Sequence, residues 1–267
     1  MNELDQPMLS SQHTHWPILI CLLGNFRLLK AGQPIMVHAG GKAEALLCYL
    51  GFLNSHRIPH ERLVQALWPA SDPVLAHQSL NSLVYGLRKL IGDAIGGSTP
   101  VLHVEGYYRL NLEAGVSVDI ACFDALAHAG DLEVRAGDLA AATASYRQAV
   151  ELYRGDLCIA ADVHALIERE RLRARYLTIL AHLADYYYHE GDYPACIGYA
   201  WQLLGRDPCR EDAHRLLMRS HVRRGQRAEA LRQYRDCVEI LRAEFDVTPE
   251  PATTALFEQV RLDPSSI

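Results

Sequence analysis

The stretch Ser79–Gly92, SLNSLVYGLRKLIG, decides how the N-terminal half of this chain is read. Leu80, Leu83, Val84, Leu87, Leu90 and Ile91 recur at steps of three and four, which predicts a helix with one apolar stripe. Gly92 stands where such a helix stops. The helix extends back to about Val74. Its other side carries Gln78, Asn81, Ser82, Tyr85, Arg88 and Lys89. That side is either an ordinary wet surface or one that reads DNA.

Upstream, Ile18–Leu29 (ILICLLGNFRLL) reads as strand bounded by Gly24 and by the turn-prone Ala31–Pro34, with Ile35–Val37 as a returning strand. A first helix is predicted from about Lys42 to Leu53, burying Ala43, Leu46, Leu47, Leu50 and Leu53. A second runs from about Pro59 to Trp68, with Pro59 in its first turn, Pro69 ending it, and Leu63, Val64, Leu67 and Trp68 buried. Downstream, VLHVEGYYRLNL reads as a β-hairpin. Val101, Leu102 and Val104 precede a Glu105–Gly106 turn, and Tyr108, Leu110 and Leu112 follow it. Strands, three helices and a hairpin, in that order, make the layout of a winged helix, whose third helix enters the major groove while the wing lies on the backbone.

From Asp119 the pattern is all helical. The phrases beginning at Gly137, Gly191 and Gly225 (GDLAAATASYRQAVELY, GDYPACIGYAWQLLGRDP, GQRAEALRQYRDCVEIL) resemble one another. The last two start 34 residues apart and the first two 54, which is one period plus 20. A 34-residue period marks tetratricopeptide repeats. A small residue stands five after each Gly (Ala142, Cys196, Ala230), where two helices must approach closely, and Tyr146, Ala200 and Tyr234 stand nine after it. Each Gly is expected to end the first helix of a pair. The fold class is therefore mostly α: an α+β winged helix over 18–118, an all-α helical-repeat domain over 119–262, a weakly ordered start (1–17) and a short tail (263–267).

Apolar residues make up 49% of the 267, enough for a sizeable core. The net charge of −6 argues against a nucleic-acid coat over the whole chain, but the charge is uneven. Residues 18–118 hold eight Lys/Arg against six Asp/Glu, whereas 119–267 hold eighteen against twenty-four. Seven scattered cysteines without a CxxC pair suggest reduced, buried thiols in a cytoplasmic protein. No signal-like start or membrane-length apolar run is read.

LLGNFRLLKAGQPI, GGKAEALLCYL, ERLVQALWP, AHQSLNSLVYGLRKLIG and HVEGYYRL together resemble the DNA-binding domain of SARP-type bacterial regulators. VDIACFDAL, DVHALIERERLRARYLTILAHLADYYYHEGDY and LRAEFDVTPEPATTALFEQV resemble the bacterial transcriptional activator domain that follows it in those proteins. The resemblance covers about residues 18–262. It implies a cytoplasmic, non-enzymatic transcription regulator, an activator, without a cofactor. It would bind double-stranded DNA at promoter repeats, with self-association as a homodimer, signal relay or RNA polymerase contact assigned to the repeat domain. The DNA-contacting candidates are His77, Gln78, Asn81, Ser82, Tyr85, Arg88 and Lys89 on the third helix, Tyr107 and Arg109 on the wing, and Lys42 at a helix start. The third helix departs from the family's denser basic face: Gly86 and His77 stand where Arg is common, leaving Arg88 and Lys89 as its cations. Two other readings stay open. One is a protein-interaction adaptor whose winged helix no longer binds DNA, and the other a repeat protein that senses a small molecule.

Other constellations point nowhere specific. Thirteen histidines include the pairs His56/His60 and His182/His189, but no HExxH, and metal binding is not expected. AGGKAE (39–44) lacks the first Gly of a phosphate loop, and no GxSxG elbow occurs. Of Tyr186, Tyr187 and Tyr188, at least one is expected in the core. ERERLRAR (168–175) reads as a solvated, self-paired helix face.

Overall fold

The computed structural model describes residues 16–37, 41–53, 57–159 and 163–267. His56 and the Ala39–Gly40 part of the phosphate-loop-like stretch lie outside the described residues, as does most of the weakly ordered start expected over 1–17. Two compact units are present. One takes the chain up to Ala125 together with Glu151–Arg169, and the other takes Leu126–Val150 with Glu170–Ile267.

The first unit opens with β1 (Ile18–Cys21), β2 (Arg27–Lys30) and β3 (Gln33–Ile35). The run expected as one strand over 18–29 is thus an antiparallel pair, with Ile18 opposite Lys30 and Cys21 opposite Arg27. The reversal lies at Gly24, whose φ of +100° would strain any side chain and where a Cβ would sit a tight 3.3 Å from the Arg154 backbone. α1 (Lys42–Phe52) is followed by the two-residue β4 (Ile58–Pro59), α2 (His60–Leu67) and α3 (Pro73–Ile91). Pro59 therefore sits in a strand, opposite Tyr107, rather than in the first turn of a helix. Asp72 caps α3 by accepting from the Val74 and Leu75 N–H groups at 2.9 and 3.2 Å. Gly92 is still right-handed and leads into a 3₁₀ turn over Gly92–Ile95, and the left-handed residue that closes it is Gly96.

β5 (Val101–Val104) and β6 (Tyr107–Leu110) form the wing, with Glu105 and Gly106 both at positive φ, as a tight two-residue hairpin needs. Leu112 falls beyond the hairpin, in a 3₁₀ turn. β4 pairs with β6 to give a sheet of order β4-β6-β5, while β7 (Val116–Val118) runs parallel to β1 to complete a sheet of order β3-β2-β1-β7. The core holds Leu46, Leu47 and Leu50 of α1, Leu63 and Leu67 of α2, and Leu80, Leu87 and Ile91 of α3. Leu90, expected in the stripe, is 40% exposed because it falls on the edge of the helix's buried arc. The wholly buried Asp119 accepts from the Leu22 and Leu23 amides at 2.8 Å, fastening the end of β1 to the start of the next helix. Burial pushes its carboxyl up to about 6, against the backbone N–H bonds that favour the carboxylate. The isolated pairing of Leu23 with Leu157 shows that the chain after Asp119 is not purely helical.

The helices that follow are α4 (Asp119–Ala136), α5 (Leu139–Leu152), α6 (Val163–His189), α7 (Tyr193–Leu204), α8 (Glu211–Arg223), α9 (Arg227–Phe245) and α10 (Pro251–Leu262). The repeat reading holds residue by residue. Gly137, Gly191 and Gly225 end α4, α6 and α8 with φ of +82°, +77° and +73°. Asp138 and Asp192 then cap the following helices, accepting from Ala141 and Ala195 N–H. Ala142, Cys196, Ala230, Tyr146 and Ala200 are buried, and Tyr234 stacks on Phe257 with ring centroids 4.1 Å apart. The residues added between the first two copies are spent on the segment after α5 and on the 27-residue α6.

One expectation fails in this half. Tyr186, Tyr187 and Tyr188 are all half-buried and none is core. They pack on one another and on the next helix, Tyr187 stacking on Tyr199 and Tyr188 against Tyr193. Three arginines of the 168–175 run, read as a solvated, self-paired face, also tie down backbone carbonyls. Arg169 donates to Leu157 and Ile159, Arg173 to Arg206, and Arg175 to Ala127 and to the Asp131 carboxylate. The tail at 263–267 turns once as a 3₁₀ helix over Pro264–Ser266, and Ile267 rests against the Met218–Val260 cluster.

Candidate nucleic-acid interface

α3 sorts its residues as an amphipathic helix must. Ala76, Leu80, Leu87 and Ile91 are buried, with Leu83 and Val84 half-buried beside them. His77, Gln78, Asn81, Ser82, Tyr85, Arg88 and Lys89 are all exposed, so the candidates on this helix share one open face. The helix contains no Asp or Glu over its 19 residues. Tyr85 is 61% exposed on that face. Lys89 lies over its ring, with Nζ 5.4 Å from the centroid. Arg88 donates to the Gly97 carbonyl at 3.1 Å, which holds its guanidinium beside the turn after α3.

The wing brings Tyr107 to the surface and buries Tyr108. Arg109 is half-buried and 3.4 Å from Glu113, so its charge is partly answered within the protein. Lys42 is placed apart from this set: its Nζ donates to the Leu67 carbonyl at the end of α2 and stands 5.8 Å from the Trp68 ring centroid.

Three residues at this face were not named as candidates. His60 meets His77, its Nε2 2.9 Å from His77 Nδ1, and the rings of His103 and Tyr108 lie beside that of His60. The rings of His103 and Tyr108 stack 4.2 Å apart at 8°. The strand pairing of β4 with β6 creates this neighbourhood, and two residues of strand are too short to be read from a pattern.

Residues 118–261 match the model of the bacterial transcriptional activator domain. The chain belongs to the bacterial transcriptional activator domain family. The match takes in α4 to α10 and leaves the winged helix outside it, but relatives of the family align across both parts. Regulatory protein AfsR of Streptomyces coelicolor is 26% identical over 246 residues, covering 91% of this chain and 24% of that protein. Regulatory protein DnrI of Streptomyces peucetius is 28% identical over 250 residues, covering 86% of this chain and 91% of that protein. This chain thus spans about a quarter of AfsR's length and most of DnrI's. Among solved structures, Mycobacterium tuberculosis EmbR, in complex with a low-affinity phosphopeptide, superposes with a TM-score of 0.65 at 24% identity, over 94% of this chain and 68% of that one. The SARP-type resemblance and the architecture of winged helix followed by tetratricopeptide-like repeats hold. No helix among the described residues is long and apolar enough to cross a membrane.

Proposed function

We propose that the chain regulates transcription by binding double-stranded DNA, with α3 in the major groove and the β5–β6 wing along the backbone. The carrying observation is the face of α3: six polar residues (Gln78, Asn81, Ser82, Tyr85, Arg88, Lys89) exposed together on a helix without a single acidic residue. Gln78 and Asn81 suit adenine edges, Tyr85 a thymine methyl or a phosphate, and Arg88 a phosphate or guanine. Tyr107 and Arg109 are assigned to the backbone, and Lys42, already engaged with Leu67, contributes least. With two cations on the helix, intrinsic affinity is modest, which favours a homodimer on repeated sites. The helical-repeat half is assigned self-association, signal relay or contact with RNA polymerase, as the SARP-type resemblance implies.

A second reading, an adaptor whose winged helix has left DNA, is favoured by one observation. Arg88 and Lys89 are both drawn onto the protein itself, by Gly97 and by the Tyr85 ring. Titration of genomic fragments across salt separates the two. Affinity that falls steeply with salt and is lost in Arg88→Ala/Lys89→Ala supports the DNA reading. Binding that is absent or indifferent to both supports the adaptor.

A further inference from the structure

His60 stands at a junction of three elements. It is the first residue of α2, and its backbone N–H donates to the Gly106 carbonyl in the turn of the wing at 2.9 Å. Its half-buried side chain reaches the other way, placing Nε2 2.9 Å from Nδ1 of His77 on the open face of α3. The groups facing it are His77 from α3, His103 from β5 and Tyr108 from β6, with Glu61 on its own helix. Tyr108 in turn stands 3.5 Å, hydroxyl to Oδ1, from Asn81 on α3.

The protons follow from the surroundings. Nδ1 of His60 is buried without a hydrogen-bond partner among the described residues. A bare lone pair is cheaper to leave there than a bare N–H, so the ring's proton belongs on Nε2. Nε2–H then donates to His77 Nδ1, and His77 must carry its own proton on Nε2. The exposed imidazole of His77 is thereby fixed as a donor, suited to a phosphate oxygen or to N7 or O6 of guanine.

We propose that His60 is a positioning residue for the DNA interface: it fixes the tautomer and angle of His77 and ties α3 to the turn of the wing. This rests on the DNA-binding reading above and names a device inside that site. The hydrogen bond survives with no proton or one proton added to the pair. A second leaves two N–H donors and two positive charges facing each other, and the tie opens. Burial holds His60 below its ordinary value of 6.5, with the neighbouring His77 and His103 acting the same way and Glu61 opposing them. The tie is therefore complete above that ordinary value, and protonation of His60, as pH falls through the lowered one, opens it once His77 is charged as well.

The test uses the full chain, ¹⁵N-labelled, in histidine ring spectra between pH 5 and 8. Fluorescence anisotropy follows on a fragment selected from random duplexes by the wild type. His60→Gln keeps an N–H donor near the Nε2 position, and His60→Leu removes it. At high pH both His60 and His77 are expected in the Nε2–H form, with His60 titrating below 6.5. His60→Leu is expected to free the His77 tautomer and weaken DNA binding about tenfold, the worth of one good hydrogen bond. His60→Gln is expected to restore binding and to flatten its fall at acid pH. A His77 in the Nδ1–H form overturns the proposal, and so does a His60→Leu variant with wild-type affinity and pH profile. If the tautomers are as described but no duplex is bound, the DNA-binding reading fails and takes the positioning role with it, while the hydrogen bond stands.

Discussion

Replacing Gly86 separates the stability of α3 from its charge. Gly86 lies inside α3 on the flank of the open face, one turn from Ser82 and Leu90, and a Cβ built on it meets nothing within 4 Å. Gly86→Ala therefore adds no clash and removes a backbone entropy cost, a gain of about 1 kcal/mol. Gly86→Arg keeps most of that gain and adds a third cation beside Lys89. If the flank follows a phosphate strand, log affinity plotted against log salt steepens by about 0.9. Between 50 and 200 mM salt that is about 3.5-fold more loss of affinity than the wild type shows. Thermal unfolding measures the first effect and anisotropy at five salt concentrations the second. The reasoning is refuted if Gly86→Arg is as stable as Gly86→Ala yet leaves the salt slope unchanged. The flank of α3 would then face no phosphate.

Three further outcomes are expected. Asp119→Ala leaves two buried amides without their acceptor and should cost about 2–5 kcal/mol in urea unfolding. Because the Asp119 carboxyl is raised from 3.8 to about 6, its contribution is largest below 3.8 and is lost as pH rises through about 6. The wild type should lose up to about 3 kcal/mol relative to Asp119→Asn between those limits. Gly130→Ala would drive a Cβ into the ring of Tyr146, whose hydroxyl is held 2.8 Å from Asp131, so it should destabilise the repeat half by about 1–3 kcal/mol.

Helical periodicity was legible because a period of 3.6 writes itself into adjacent residues. The stripe Leu80–Ile91, the α1 core and the glycines at 137, 191 and 225 all follow from local spacing. What was not legible depended on partners distant in sequence. The turn at Gly24 answers to the Arg154 backbone, and Pro59 is a strand residue only because Tyr107 pairs with it. Arg169, Arg173 and Arg175 look like surface charge until the carbonyls they hold, up to 48 residues away, are placed. The candidate interface divides the same way. Exposure along α3 follows from its pattern, whereas the contact of His60 with His77 needs the β4–β6 pairing.

The account turns on whether the open face of α3 meets DNA. Benzoylphenylalanine at position 85, photo-activated with duplex selected by the wild-type protein, tests this directly, with the same group at the exposed Trp201 of α7 as control. Crosslinks from position 85 and none from 201 are predicted. A position-85 protein that leaves bound duplex unmarked would contradict the account.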